Sequence, residues 1–145
     1  FNAYGPRMLF NDGRVVSNFM YQALMGTELT IYGDGSQTRS LTFVADEVRG
    51  LIALFDSGHP GPMNLGGQVE QTVLEIAESI LAVTGSSSQL VFKPLPVDDP
   101  TRRRPDITLA REVLGWEPTT TLLDGLTALR DDYTTRYIAK GDPKQ

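Results

Sequence analysis

Helical periodicity that keeps running into glycine is what most limits the fold of this chain. Val15, Val16, Phe19, Met20, Ala23 and Leu24 recur at helical spacing and are closed by Gly26. Thr72 with Glu75 three residues on is a capping box that opens a second such run, Val73, Ile76, Ala77, Ile80 and Leu81, ending near Gly85. "DITLAREVLG" is a shorter helix stopped at Gly115. Two more helices are expected in "ADEVRGLIALFDSG" and "LLDGLTALRDDYTTRYI". In the first, Val48, Leu51, Ile52, Leu54 and Phe55 share a helical face, and Asp46 and Glu47 lie in the opening turn, where the helix dipole favours acids. Between these runs lie short extended pieces: residues 1–4, "ELTIYGDG", "SLTFV", "GPMNLGG" and "LVFKPLP", the last kept at a sheet edge or a strand end by its prolines. Helices alternating with short strands predict an α/β class with about five helices. The strands are too few and too brief for a six-stranded doubly wound sheet, so a Rossmann core is largely absent. The chain opens on "FNAYGPRM", an apolar strand-like stretch without an initiator Met, which reads as a cut through the middle of a fold. Residues 1–145 are expected to form one unit, with residues 140–145 a disordered tail.

Composition removes several functions. A net charge of -5 argues against a nucleic-acid or membrane-surface partner, which needs a broad basic face. With no cysteine there are no disulfides or thiolate metal sites, and the expected compartment is the reducing cytoplasm. His59 is the only histidine and sits in the turn-like "SGHPGP", so a catalytic triad, a histidine metal cluster and HExxH are all absent. No GxGxxG follows a strand and no GxxxxGK[ST] occurs; "GDGSQT" follows no buried strand and opens no clear helix. The chain alone is therefore not expected to hold a dinucleotide.

The polar residues that look placed are Asn2, Arg7, Asn11, Arg14, Tyr32, Arg39 and the triplet Arg102, Arg103, Arg104 within "DDPTRRRPD". A guanidinium grips phosphate through a planar fork, and a tyrosine ring offers its face to a base. Each has a plain structural reading beside this one: an arginine in a loop is more often a solvated charge, Tyr32 a packing residue, Asn2 a backbone partner, and "TRRRPD" a patch paired with Asp98, Asp99 and Asp106. Residue types and spacing alone give only an α/β domain, with anion binding one reading beside the plain structural ones.

"FNAYGPRM", "NDGRVVSNF", "LTIYGDGSQTRS", "FVADEVRGL", "MNLGG" and "DDPTRRRPDITLAREVLGWEP", in that order, cover nearly the whole chain. Together they resemble the C-terminal substrate-binding lobe of extended short-chain dehydrogenase/reductases, the NAD-dependent epimerase/dehydratase family. Among these, "NDGRVVSNF" with "GSQTR" and the DDPxxRxPD pattern are most similar to UDP-glucuronic acid decarboxylases, also called UDP-xylose synthases. Ala3 and Leu9 depart from this pattern, standing where more polar residues are expected.

The resemblance implies a substrate-binding set: Asn2 on the diphosphate or sugar, Arg14 and Val15 in the segment lining substrate and cofactor, Thr30, Ile31 and Tyr32 at the uracil end, Arg39 on the diphosphate, and Arg103 on phosphate or ribose. It makes Arg14 the one cofactor-side residue here and leaves Arg102 and Arg104 as merely basic. It implies NAD as cofactor, bound mainly by an upstream portion that also carries the Tyr-x-x-x-Lys pair, so that no catalytic residue and no metal site lies in this chain. In that family NAD+ takes the C4 hydride of UDP-glucuronate, the 4-keto sugar loses its carboxylate as CO2, and the hydride returns to give UDP-xylose. The chain alone is then expected to be inactive, and the intact enzyme to be a homodimer. A 4,6-dehydratase or a 4-epimerase is the alternative within the superfamily; a stand-alone anion-binding or interaction module is the alternative outside it.

Overall fold

The computed structural model describes residues 2–94 and 104–139. Its elements run β1 (Ala3–Tyr4), α1 (Val15–Leu24), β2 (Leu29–Tyr32), β3 (Thr38–Ser40), β4 (Thr42–Phe43), α2 (Val44–Ser57), β5 (Glu70–Thr72), α3 (Val73–Thr84), β6 (Leu90–Lys93), α4 (Thr108–Leu114) and α5 (Leu122–Tyr133), which passes into a π-helical turn, Thr134–Ile138. The described strands form three two-stranded ladders: β1 with β4 and β2 with β6, both parallel, and β3 with β5, antiparallel. Five α-helices with short strands match the α/β expectation.

The helix boundaries follow the local chemistry. Thr72 Oγ1 accepts from the Glu75 N–H at 3.1 Å while a Glu75 carboxylate oxygen accepts from the Thr72 N–H at 2.7 Å, which completes the capping box. Gly26, Gly85 and Gly115 end their helices at φ of 66°, 65° and 59°, the left-handed conformation that a side chain disfavours.

The main core lies between α1, β2, α3 and α5, where Phe19, Met20, Leu29, Ile31, Ile76, Ile80, Leu126 and Leu129 are buried. A smaller cluster of Leu65, Ile107, Ala110 and Trp116 fills the space beside α2 and α4. Two expectations need correction. The stretch "GPMNLGG" joins no strand ladder among the described residues; Leu65 is buried there as core, and the ladder position falls later, on β5. On α2 the apolar face of Val48, Leu51, Ile52 and Phe55 points outward, Phe55 being 87% exposed. Its inward face is the opposite one, carrying Asp46 and Gly50. Gly50 is there for its missing side chain, since a Cβ would stand 2.8 Å from Cε2 of Trp116.

Asp46 ties α2 to the chain before α5. One carboxylate oxygen accepts from Arg49 at 2.7 Å and from the Thr119 hydroxyl at 3.2 Å; the other accepts from the N–H groups of Thr119 at 3.1 Å and Thr120 at 2.8 Å. Burial pushes its pKa up, yet the Arg49, Thr120 and Thr119 donors outweigh burial and hold it down at about 2. A carboxylate held below its unfolded value stabilises the fold above that value, and the contribution is lost as pH falls towards about 2. Asp46→Asn is expected to cost roughly 2–4 kcal/mol at neutral pH. The same variant should flatten the acid limb of stability, as chemical denaturation at a series of pH values would show.

Candidate nucleotide-sugar site

The strand and helix ends around β1 enclose an open cleft of about 570 Å³. β1 and the residue before it contribute Asn2, Ala3 and Tyr4 to its lining; the approach to α1 and its first turn contribute Met8, Gly13, Arg14, Val15 and Val16; β2 contributes Thr30 and Tyr32; β3 contributes Arg39. Alternation along β2 explains which of its residues face the cleft. Leu29 and Ile31 point into the core, where Ile31 is 0% exposed, while Thr30 and Tyr32 point to the other side, Tyr32 being 45% exposed. Ile31 thus supports the site from behind. Gln37 fixes the end of β2 by donating to the Tyr32 carbonyl at 2.7 Å. Gln22 holds Thr30, accepting from its N–H at 3.2 Å.

Among the described residues the lining carries two guanidiniums and no carboxylate. Arg14 is oriented by Asp12, 3.0 Å from its Nε, and by the Ala3 carbonyl, which accepts from its Nη1 at 3.0 Å. Asp12 also accepts from the Arg14 N–H at 3.0 Å and from the Ser17 hydroxyl, fixing the start of α1. α1 has no acidic residue in its first turn and no side-chain cap from Arg14, so its positive dipole end borders the cleft at Val15 and Val16. Arg39 is half-buried on β3 and donates to the Thr38 carbonyl at 2.8 Å. Asn2 takes a positive φ of 46°, a conformation asparagine tolerates better than most residues, and its amide donates to the Ser40 carbonyl at 3.2 Å.

Of the residues expected at the site, Asn2, Arg14, Val15, Thr30, Tyr32 and Arg39 line this one cleft, from four separate segments. Arg103, with Arg102, lies outside the described residues. Arg104 is the described member of the triplet, and it stands 4.0 Å from Glu70 on β5, the strand paired with the one carrying Arg39. Sequence reasoning missed Asn18, Phe19, Gln37, Leu41 and Val73 in the lining. Asn18, one turn from Arg14 on a helix already assigned, is the one that helical spacing offers.

The "GDGSQT" turn is organised around its own acid. Asp34 fills that turn, accepting from the Ser36 N–H at 2.9 Å and hydroxyl at 2.6 Å, and these bonds hold its carboxyl below the usual range. A carboxylate at that point repels phosphate. Among the described residues no group of His, Asp and Glu is arranged to hold a metal ion, and no helix is long and apolar enough to cross a membrane.

The GDP-mannose 4,6 dehydratase family matches residues 1–129. The chain belongs to that family. UDP-glucuronic acid decarboxylase 4 of Arabidopsis thaliana is 50% identical over 145 residues, covering 100% of this chain and 32% of the relative. UDP-glucuronic acid decarboxylase 1 of Danio rerio is 52% identical over 126 residues, covering 87% of this chain and 30% of the relative. Among solved structures, the UDP-glucuronic acid 4-epimerase of Bacillus cereus in complex with UDP-glucuronic acid and NAD superposes with a TM-score of 0.87 at 31% identity, over 94% of this chain and 44% of that one. Epimerase Mth375 of Methanothermobacter thermautotrophicus gives a TM-score of 0.89 at 34% identity, over 96% of this chain and 43% of that one. The motif resemblance to the decarboxylases and the extended short-chain dehydrogenase/reductase fold are both borne out. This family member spans about a third of the length of the curated relatives it matches.

Proposed function

We propose that this chain is the UDP-sugar-binding part of an NAD-dependent UDP-glucuronate decarboxylase. The observation that carries the reading is the cleft itself: two arginines, a helix N-terminus, Tyr32 and Thr30 in one lining, with no carboxylate among its described residues. An elongated ligand with a double negative charge and an aromatic ring matches that distribution. Arg39 and Arg14 take the diphosphate, Tyr32 and Thr30 the uracil end, Asn2 the diphosphate or the sugar, and Val15 the flank between them. Arg103 joins the diphosphate grip on the strength of its motif, beside Arg104, which pairs with β5. Each charge-assisted contact contributes roughly 1.5–3 kcal/mol. That binding energy, gained far from the reacting ring, fixes the sugar relative to the cofactor and so lowers the entropic part of the barrier.

The residues of this chain do not fit NAD by themselves. The sequence has no glycine-rich phosphate cradle, and Asp34 occupies its only candidate turn. Held elsewhere in the enzyme, NAD would supply hydride-transfer chemistry. The work of this chain is to bind and orient the UDP-sugar.

The decarboxylase reading is preferred to an epimerase because identity is 50% to the Arabidopsis decarboxylase and 31% to the UDP-glucuronic acid 4-epimerase. The test is product analysis of the full-length enzyme with UDP-glucuronate and NAD+. UDP-xylose with stoichiometric CO2 is expected. Retention of all carbon as the 4-epimer, or formation of a 4-keto-6-deoxy sugar when UDP-glucose is offered in place of UDP-glucuronate, would refute the reading. The 145-residue chain alone is expected to release no CO2.

A further inference from the structure

Residues 5–14 connect β1 to α1 and form one wall of the cleft, which Met8, Gly13 and Arg14 face. This segment is neither helix nor strand, and Arg7 within it adopts φ of 71°, a left-handed conformation that costs a residue with a Cβ roughly 1 kcal/mol. The groups that hold it come from the end of α5 and the π-helical turn that follows. Asp132 accepts from the Arg7 N–H at 3.0 Å, and from Nε and Nη2 of Arg136 at 2.9 and 2.6 Å. Nη2 of Arg136 also donates to the Met8 carbonyl at 2.7 Å. Nη1 donates to the Tyr137 hydroxyl at 2.9 Å, and the guanidinium carbon stands 4.7 Å from the centre of the Tyr137 ring. The same ring meets the edge of Phe10 at 5.0 Å, and Phe10 stacks on Tyr21 of α1 at 4.7 Å.

The wall is therefore fixed at the amide of residue 7, the carbonyl of residue 8 and the ring of residue 10. One carboxylate and one guanidinium make the first two attachments. The π-helical turn contributes by changing the register of the last helical residues, and such turns recur at functional positions.

We propose that Arg136 and Asp132 are positioning residues for the ligand cleft, acting through the 5–14 segment and not through contact with the ligand. The proposal rests on the reading of the cleft as a nucleoside-diphosphate-sugar site. Neither residue lines the cleft. Arg130 of α5 gives an internal comparison: it donates to the Val83 carbonyl at 2.8 Å and pairs with Asp131 at 2.7 Å, which ties α5 to α3 and leaves the 5–14 segment untouched.

The experiment uses the full-length enzyme and reads the Kd for UDP-glucuronate by calorimetry, with KM, kcat and Tm alongside. Arg136→Ala and Asp132→Asn are expected to raise Kd and KM about 10-fold, because loss of geometry at a binding wall weakens every contact made from it. kcat at saturation should stay within about threefold, the pattern of lost uniform binding. Arg136→Lys keeps one donor for the Met8 carbonyl but loses the fork, and should fall between. Arg130→Ala should lower Tm and leave Kd unchanged. The isosteric Asp132→Asn keeps the test decisive where Arg136→Ala fails to fold. Binding within about twofold of the unaltered enzyme in both Asp132→Asn and Arg136→Lys overturns the proposal. A rise in Kd for Arg130→Ala equal to that for Asp132→Asn also overturns it. Arg39, inside the cleft, separates the two levels. If Arg39→Ala also leaves Kd unchanged, the cleft reading has failed; if it weakens binding while Asp132→Asn does not, only the positioning role has.

Discussion

Arg39→Ala in the full-length enzyme is expected to weaken UDP binding roughly 10–100-fold, the equivalent of roughly 1.5–3 kcal/mol for one charge-assisted phosphate contact. The effect is large because of where the residue sits. Arg39 is on a strand paired in register with β5, Arg39 opposite Gln71, so its backbone is held by that neighbour. The residue is half-buried and its guanidinium is already directed by the Thr38 carbonyl, which limits the rotamer entropy lost on binding. Arg39→Lys keeps the charge without the planar fork and should recover part of the affinity. Raising salt should compress the difference between the variants, since part of the contact is Coulombic. Arg103→Ala is expected to act in the same direction and tests an assignment that rests on motif alone. UDP affinities unchanged in Arg39→Ala and Arg103→Ala, with an unaltered melting curve, would remove the diphosphate clamp from the account.

The largest effect on stability is expected at Gly67. A Cβ at this position would stand 2.1 Å from the Leu41 carbonyl oxygen and 3.0 Å from its carbon, so Gly67→Ala must push two backbones apart. No flexible side chain is available to yield. The Gly67 N–H also donates to the buried hydroxyl of Thr42 at 2.7 Å, a bond that the same displacement stretches. A loss of roughly 3 kcal/mol or more follows, and Tm should fall by about 10 °C. Because Leu41 lines the cleft two residues after Arg39, the surviving folded fraction should also bind UDP more weakly. Gly61→Ala is the control: its added methyl would touch only the His59 ring, at 3.4 Å. A Gly67→Ala protein melting within about 2 °C of the unaltered one would show that the close approach is not required.

Much of the site was legible because local chemistry and chain order specify it. The Thr72–Glu75 capping box, the glycine stops of α1, α3 and α4, and the edge strand at Leu90 are determined within a few residues of chain, and each appears as expected. The grouping of Asn2, Arg14, Thr30, Tyr32 and Arg39 came from a resemblance over the whole chain; no single one of those residues announces a ligand.

Other features depend on contacts between distant segments. α2 shows the difference: an apolar face at Val48, Leu51, Ile52 and Phe55 satisfies helical periodicity, yet the packed face is the one with Gly50 and Asp46. Periodicity reports that a helix has two faces; what lies against each is set by Trp116 and Thr120, more than 60 residues later. Ile31 and Tyr32 are adjacent in sequence and were expected at the same end of the ligand, but strand pleating sends one into the core and the other into the cleft. The attachment of residues 7 and 8 to Asp132 and Arg136 joins positions 125 and 128 residues apart. Sequence alone was enough for the helices, for most of the short strands and for the family, because these follow from local chemistry and chain order. Tertiary structure decided which faces of those elements meet, because burial and hydrogen bonding are satisfied only once distant parts of the chain come together.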